Sequence, residues 1–385
     1  MVGYKQTDIG LIPEDWEVTN LSEIIEPNRN IRYGIVQPGK YEPSGCLMLR
    51  SQDYSKGWSN SDGMHRVNST LENQYKNARL NKDDLIMTVV GAGIGQVVIA
   101  PDWLDKAIAS RSTARIAIDK TKAAKEYVLC CLTSPLGVRQ VLDVQKEGAQ
   151  PVISCLDLEK FSIPYPTISE QEAIAEVLSD TDALIGALEK LIAKKRLIKQ
   201  GAMQTLLTPK DDWEVKKLGE VCDIKKGEQL NKDKMRDIQK YPVINGGVLP
   251  SGYTDKYNQV ENTITISEGG NSCGYVNYMR VKFWQGGHCY SLKTIMNKLY
   301  LYSYLKFNEG IIMNLRVGSG LPNIQRNRLE QFDVFLPQLS EQTRIATILS
   351  DMDSEIDALE KKLSKTKELK QGLMQQLLTG KIRLV

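Results

Sequence analysis

His65 and His288 are the only histidines in this 385-residue chain, and neither sits in a setting that a Ser/His/Asp or Cys/His nucleophile would need. Seven cysteines (Cys46, Cys130, Cys131, Cys155, Cys222, Cys273 and Cys289) form no CxxC pair. With so few histidines, a His/Cys metal site is not expected, and no cofactor is. Gly91-Ala92-Gly93-Ile94-Gly95 lacks the third-glycine spacing of a nucleotide loop and reads as a tight hairpin. Neither GxxxxGK[ST] nor the Asn/Asp-Pro-Pro-Tyr/Phe sequence of adenine-amino methylation occurs. Glu214-Val215-Lys216 resembles the E-x-K of metal nucleases, but the matching Glu17-Val18-Thr19 lacks the lysine, so a place at a domain edge fits better. The chain reads as non-catalytic.

The remaining polar chemistry suits binding. Arg29, Arg32, Tyr33, Arg50, Gln52 and Arg111 fall in the first part of the chain, and Lys225, Lys226, Asn245, Asn271, Arg316 and Gln325 in the second. They sit in loops punctuated by glycine between strand-like runs, and these residue types grip phosphates and read base edges. They are the expected DNA-binding residues.

Something must hold two such sets in place, and the sequence repeats it. Residues 169–208 return as 340–379 at a constant offset of 171, with 23 of 40 positions identical. Asp15-Trp16-Glu17-Val18 reappears as Asp212-Trp213-Glu214-Val215, and Pro151-Val152-Ile153 matches Pro322-Asn323-Ile324. Between these edges the two lobes share almost nothing, and the first is longer by 26 residues. Such a repeat signals two equivalent places in one molecule.

The repeated segment is predicted to be helical, with Ser169 and Ser340 as N-caps after the breaking prolines Pro164, Pro166 and Pro337. Ile174, Leu178, Ile185, Leu188 and Ile192 step by four and three, as do Ile345, Leu349, Ile356, Leu359 and Leu363. That is the seam of a coiled coil. Forty residues make a rod of about 60 Å. Its lysine-rich flanks read as solvated. Connectivity makes the helices antiparallel and the halves related by a pseudo-twofold axis.

The expected fold class is α+β: two lobes with mostly antiparallel sheets, separated by two long helices in an antiparallel coiled coil. The expected domains are 1–165 (first recognition lobe), 166–209 (first spacer helix), 210–336 (second lobe) and 337–385 (second spacer helix and tail). Composition permits a folded protein with room for two or more cores, with 25% charged and 41% hydrophobic residues. A net charge of +3 mildly favours a polyanionic partner. Scattered, odd-numbered cysteines suggest buried thiols in a reducing cytoplasm. Met1 opens a polar segment rather than a signal peptide. Leu85 to Ala100, the most apolar run, is shorter than the roughly 20 residues a bilayer needs and carries glycines, so it is expected to be a buried hairpin.

The layout of variable lobe, shared helix, variable lobe, shared helix resembles the specificity subunit of type I restriction-modification enzymes. The resemblance rests on Pro-x-x-Ser-Glu-Gln at Pro166–Gln171 and Pro337–Gln342, and on the helix ends Gly201-Ala202-Met203-Gln204-Thr205-Leu206-Leu207-Thr208 and Gly372-Leu373-Met374-Gln375-Gln376-Leu377-Leu378-Thr379. It extends to Asp15-Trp16-Glu17, Asp212-Trp213-Glu214, Tyr241-Pro242-Val243-Ile244-Asn245-Gly246-Gly247 and Phe283-Trp284-Gln285-Gly286-Gly287-His288. It implies a subunit in which each lobe reads half of a split, asymmetric double-stranded DNA site. It also implies that the helices set the gap and dock two modification (methyltransferase) subunits, which restriction (translocase and nuclease) subunits join. The other function class consistent with a modest charge is a two-headed protein-binding adaptor with a coiled-coil spacer.

Overall fold

Each copy of the repeat forms one long helix, Ile168–Leu207 and Leu339–Leu377. The computed structural model describes residues 3–58, 60–145, 152–318, 320 and 322–384; Pro151, part of one repeated segment, lies outside these. The helix starts differ from the expected serine caps. Glu170 N–H donates to Thr167 Oγ1 at 3.4 Å, so Thr167 supplies the first hydroxyl cap and Ser169 lies inside the first turn. The second helix begins before Ser340 too, with Gln338 preceding it.

The Ser-Glu-Gln motif serves a different purpose. Gln171 donates to the Pro166 carbonyl and accepts from Ala124 N–H, both at 3.0 Å. Gln342 does the same with Pro337 at 2.9 Å and Asn297 N–H at 3.0 Å. Both glutamines are buried, so each ties a helix start to its lobe with its side-chain amide hydrogen-bonded.

The chain folds as two compact units: Met1–Ala187 with Leu363–Val385, and Leu188–Lys362. The division therefore runs through both long helices, and does not separate lobes from spacers at 165, 209 and 336. The reason is packing. In the first unit Ile174 and Leu178 from one helix and Leu377 and Leu378 from the other enter a core with Trp16, Tyr127 and Phe161. In the second, Ile345 and Leu349 meet Leu207 in a core with Trp213, Tyr300 and Leu329. Each such aliphatic side chain contributes about 1.5–3 kcal/mol on burial.

Within each unit the helix segments run antiparallel. Lys195 pairs with Glu355 at 2.6 Å and Lys199 with Asp353 in the second unit, and Asp182 pairs with Lys370 at 2.6 Å in the first, so partner numbers fall as the others rise. Of the seam, Ile174, Leu178, Leu188, Ile192, Ile345, Leu349 and Ile356 are buried, while Ile185, Leu359 and Leu363 are half-buried. Two helices alone cannot cover a full stripe on each other.

The lobes differ in sequence and agree in topology. The first has an antiparallel sheet in the order Arg32–Tyr33, Thr113–Ile116, Leu85–Thr88, Val97–Ile99. The second orders Cys222–Lys226, Cys289–Thr294, Thr263–Ser267, Val276–Met279 in the same way. Each adds a smaller sheet with one parallel pair, Cys46–Leu49 with Ile108–Ala109 and Tyr241–Ile244 with Trp284–Gln285. Each closes its base with an edge ribbon, Glu17–Asn20 against Ser162–Tyr165 and Glu214–Lys217 against Asp333–Leu336. Glu214 and Lys216 pair with each other on that ribbon at 2.8 Å. The apolar run from Leu85 is the expected buried hairpin, turning through Gly91, Gly93 and Gly95, all in the left-handed region. Among the described residues no helix is long and apolar enough to cross a membrane. All seven cysteines are free thiols, and burial pushes Cys222 up to about 11 and Cys289 up to about 12.

The first unit has two additions. A hairpin, Tyr4–Thr7 with Gly10–Pro13, precedes Trp16. The tail returns to it: Arg383 contacts Glu170, which is fully buried, and Asp15 at 3.0 and 2.9 Å, and its guanidinium lies 5.6 Å from the Trp16 ring centre. Trp16 Nε1 donates to the same Glu170 at 3.1 Å. In the second unit Lys210 takes this part, 3.4 Å from Glu341 and 5.9 Å from the Trp213 ring centre.

Candidate nucleic-acid interface

In the first lobe three loops are laced into one edge. Gly34 N–H donates to Ser110 O at 3.1 Å, Ser110 N–H to Leu49 O at 2.9 Å, and Ser51 N–H to Ser112 Oγ at 3.2 Å. These bonds bring Arg32 and Tyr33, Arg50 and Gln52, and Arg111 together. Arg32, Tyr33, Gln52 and Arg111 are exposed. Arg50 is otherwise engaged: its guanidinium meets Asp53 at 2.9 Å and closes a capping box around the turn Ser51–Asp53.

Arg29 is not on this edge. It pairs with Glu26 at 2.8 Å and with Asp84 at 2.6 Å. Asp84 is buried, and that burial raises its pKa against the opposing pull of the Arg29 hydrogen bond. Arg29 thus neutralises a buried acid beneath the loop. Arg115, which carried no sequence signal, supports the same loop from below by donating to the carbonyls of Asn30, Asn77 and Arg79.

In the second lobe the six expected donors cluster at the matching edge. Asn245 follows the strand equivalent to that before Arg50, and its Oδ1 accepts from His288 N–H at 3.3 Å. Gly246, at φ 88°, presents its carbonyl to Ser272 Oγ at 2.6 Å. The hairpin loop carrying Asn271 is pinned to the Arg316–Gln325 loop by Gly270 N–H to Pro322 O at 3.0 Å and Ile324 N–H to Glu268 O at 2.8 Å. Lys225, Asn271, Arg316 and Gln325 are exposed. Lys226 is exposed too, but its ammonium lies 2.5 Å from Glu268.

Glu268 opens the glycine-rich loop that carries Asn271, and its ion pairing carried no sequence signal. It is a half-buried acid within a donor-rich edge, set between Lys226, His288 Nδ1 at 3.5 Å and the Tyr290 hydroxyl at 3.2 Å. Burial, aided by this carboxylate, lifts Tyr290 to about 12. Sequence reasoning missed a cleft of about 830 Å³ beside Asn245, lined by Gln229, Asn231, Lys232 and Arg236. The run Lys232-Asp233-Lys234-Met235-Arg236 was its only signal. Among the described residues no group of His, Cys, Asp and Glu is placed to hold a metal ion.

The repeated frame and its two loop edges can now be compared with known proteins. The family model for the type I restriction modification DNA specificity domain matches twice, over residues 13–197 and 210–371. The chain belongs to the type I restriction-modification DNA specificity family. The expectation drawn from the resemblance, a specificity subunit that recognises DNA sequence with two such domains, is borne out. The chain is 27% identical over 415 residues to the putative specificity subunit of the type I restriction enzyme MjaX of Methanocaldococcus jannaschii, covering 99% of this chain and 97% of that one. It is 31% identical over 182 residues to the EcoBI specificity subunit of Escherichia coli, a match over 47% of this chain that spans only 38% of that protein's length. The S subunit of a type I system from M. genitalium shares the fold with a TM-score of 0.67 at 18% identity, over 94% of this chain and 96% of that one. The two matched family segments begin and end near the repeat's edges, so each specificity domain is one lobe with its helix.

Proposed function

We propose that each lobe reads one half of a split, asymmetric DNA duplex site through its laced loop edge. The paired helices fix the gap between the halves and dock two modification subunits, to which restriction subunits add. The chain itself performs no chemistry and works in the cytoplasm.

The observation that carries this reading is that one loop position in one topology holds two unlike donor sets. Arg32, Tyr33, Gln52 and Arg111 face outward in the first lobe; Lys225, Asn245, Asn271, Arg316 and Gln325 gather in the second. A shared frame with different side chains is what two independent base readers on one phosphate backbone require. For docking, the first long helix carries Leu184, Leu191 and Ile198 at intervals of seven, each about two-fifths exposed. An uncovered heptad stripe suits partner helices.

Methylation mapping in cells that carry this chain with its modification subunit tests the proposal. A bipartite site with two unlike halves and a fixed gap is the expected map. Methylation without sequence preference, or at one continuous site, would refute it.

A further inference from the structure

The two units contain the same apolar cleft, filled in one and open in the other. In the first unit it lies between the end of the second long helix at Leu378, Cys131 on the short helix Lys125–Thr133, and Pro164. The N-terminal hairpin sets Ile9 and Ile12 into it, with Leu11 at its exposed rim, leaving about 100 Å³. Ile12 is buried there, and Tyr4 OH donates to Gly380 O at 3.2 Å to hold the hairpin down.

In the second unit the walls correspond position by position. Leu207 stands for Leu378 and Phe335 for Pro164, at the repeat offset. Tyr300 OH donates to the Phe335 carbonyl at 2.8 Å as Tyr127 OH donates to that of Pro164 at 2.9 Å, which places Tyr304 where Cys131 is. This cleft holds about 380 Å³ and is lined by Leu207, Tyr304, Phe307, Ile311, Leu315 and Phe335. No second hairpin exists to fill it, because only Thr208-Pro209-Lys210-Asp211 separates the helix end from Asp212-Trp213. Phe307 is 38% exposed and Ile311 57%, and exposed Val215 stands directly opposite Phe335 across the edge ribbon.

We infer that the open cleft docks an extended apolar segment of the modification subunit, one presenting branched aliphatic side chains as Ile9 and Ile12 do in the first unit. This rests on the proposal that the chain docks modification subunits. Two observations select that occupant. The cleft begins at Leu207, on the helix that carries the uncovered stripe ending at Ile198, so the two apolar surfaces belong to one element. A second copy of this chain has already spent its hairpin, since withdrawing Ile12 would open its own core. The two modification subunits therefore meet inequivalent sites and bind in two distinguishable steps.

The test titrates the full chain with modification subunit, comparing wild type, Ile311→Asp and Val138→Asp. Val138 is an exposed apolar residue on the helix Pro135–Val144, whose start borders the filled cleft. Wild type should bind in two steps, Ile311→Asp should weaken one of them about tenfold, which corresponds to about 1.4 kcal/mol, and Val138→Asp should change neither. Amide exchange at residues 304–315 should slow on complex formation. If wild type binds and Ile311→Asp binds equally, with no slowing at 304–315, the cleft assignment falls and the docking proposal stands. If wild type does not bind the modification subunit, both fall. Self-association of the chain alone that Ile311→Asp abolishes would overturn the assignment in favour of a second copy.

Discussion

At the scale of single residues, an arginine in a loop has a different role according to what lies beneath it. Arg29 and Arg32 are three positions apart, yet Arg29 neutralises the buried Asp84, 55 positions away, while Arg32 is exposed. Arg32→Ala or Arg111→Ala should weaken DNA binding and flatten the salt dependence of log K by about one for each phosphate the side chain had gripped. Arg29→Ala should leave Asp84 buried and unpaired, and cost about 3–5 kcal/mol of first-unit stability. Binding titrations across salt, paired with urea unfolding, separate the two outcomes; equal loss of stability in all three variants would contradict the assignment. Arg383 follows the same logic. Arg383→Ala should destabilise the first unit by about 3–5 kcal/mol, because Glu170 loses its charge partner in the core. The Arg383 hydrogen bond also holds Asp15 below the ordinary carboxylate range. The stability linked to Asp15 is therefore complete above its unfolded pKa of about 3.9 and is lost as pH falls through the lower folded value. Acid titration of unfolding should show that loss in wild type and not in Arg383→Ala. Neither pairing was legible in the sequence, since the partners stand 55 and 213 positions apart and type alone cannot reveal them.

The elements were more legible, and unevenly so. The long helices announced themselves through repetition and the three-and-four apolar spacing, and their bounds fall within a few residues of the repeat. The common strand order did not, because many sequences satisfy one alternating pattern and the lobes chose unrelated ones. The packing of the seam bears on the proposed role of the helices as spacer. Ile174 and Leu178 are fixed in the first core, and Ala202, Met203 and Leu206 pack on the second, so only the stretch between them is free to change length. Gly186 and Lys365 both fall between the pairs Asp182–Lys370 and Lys195–Glu355. Inserting four residues after each extends the antiparallel pair by about 6 Å and nearly keeps the seam in phase. The expected outcome is a gap longer by one or two base pairs, with both half-sites unchanged, read from methylation maps. A folded, active mutant restricted to the original gap would remove the helices from the role of ruler.

Across the whole molecule, the repeat divides labour: what is copied holds, and what differs reads. Gln171 and Gln342 make the same two hydrogen bonds to their lobes, and Tyr127 and Tyr300 donate to equivalent carbonyls. A foreign lobe that keeps these anchor positions should therefore seat on the same helices without disturbing the other unit's core. Its loop edge would bring its own donors in place of Lys225, Asn245, Asn271, Arg316 and Gln325. Replacing residues 210–336 with the matching lobe of another family member should thus change one half-site and leave the other, assigned in the proposal to the first lobe, as it was. Base contacts in separate loop edges contribute roughly additively when well separated. Methylation maps of the chimera and the parent decide the matter. A chimera that folds and methylates but alters both halves together would mean that the lobes read DNA as one surface, and the independence implied by two self-contained cores would be wrong.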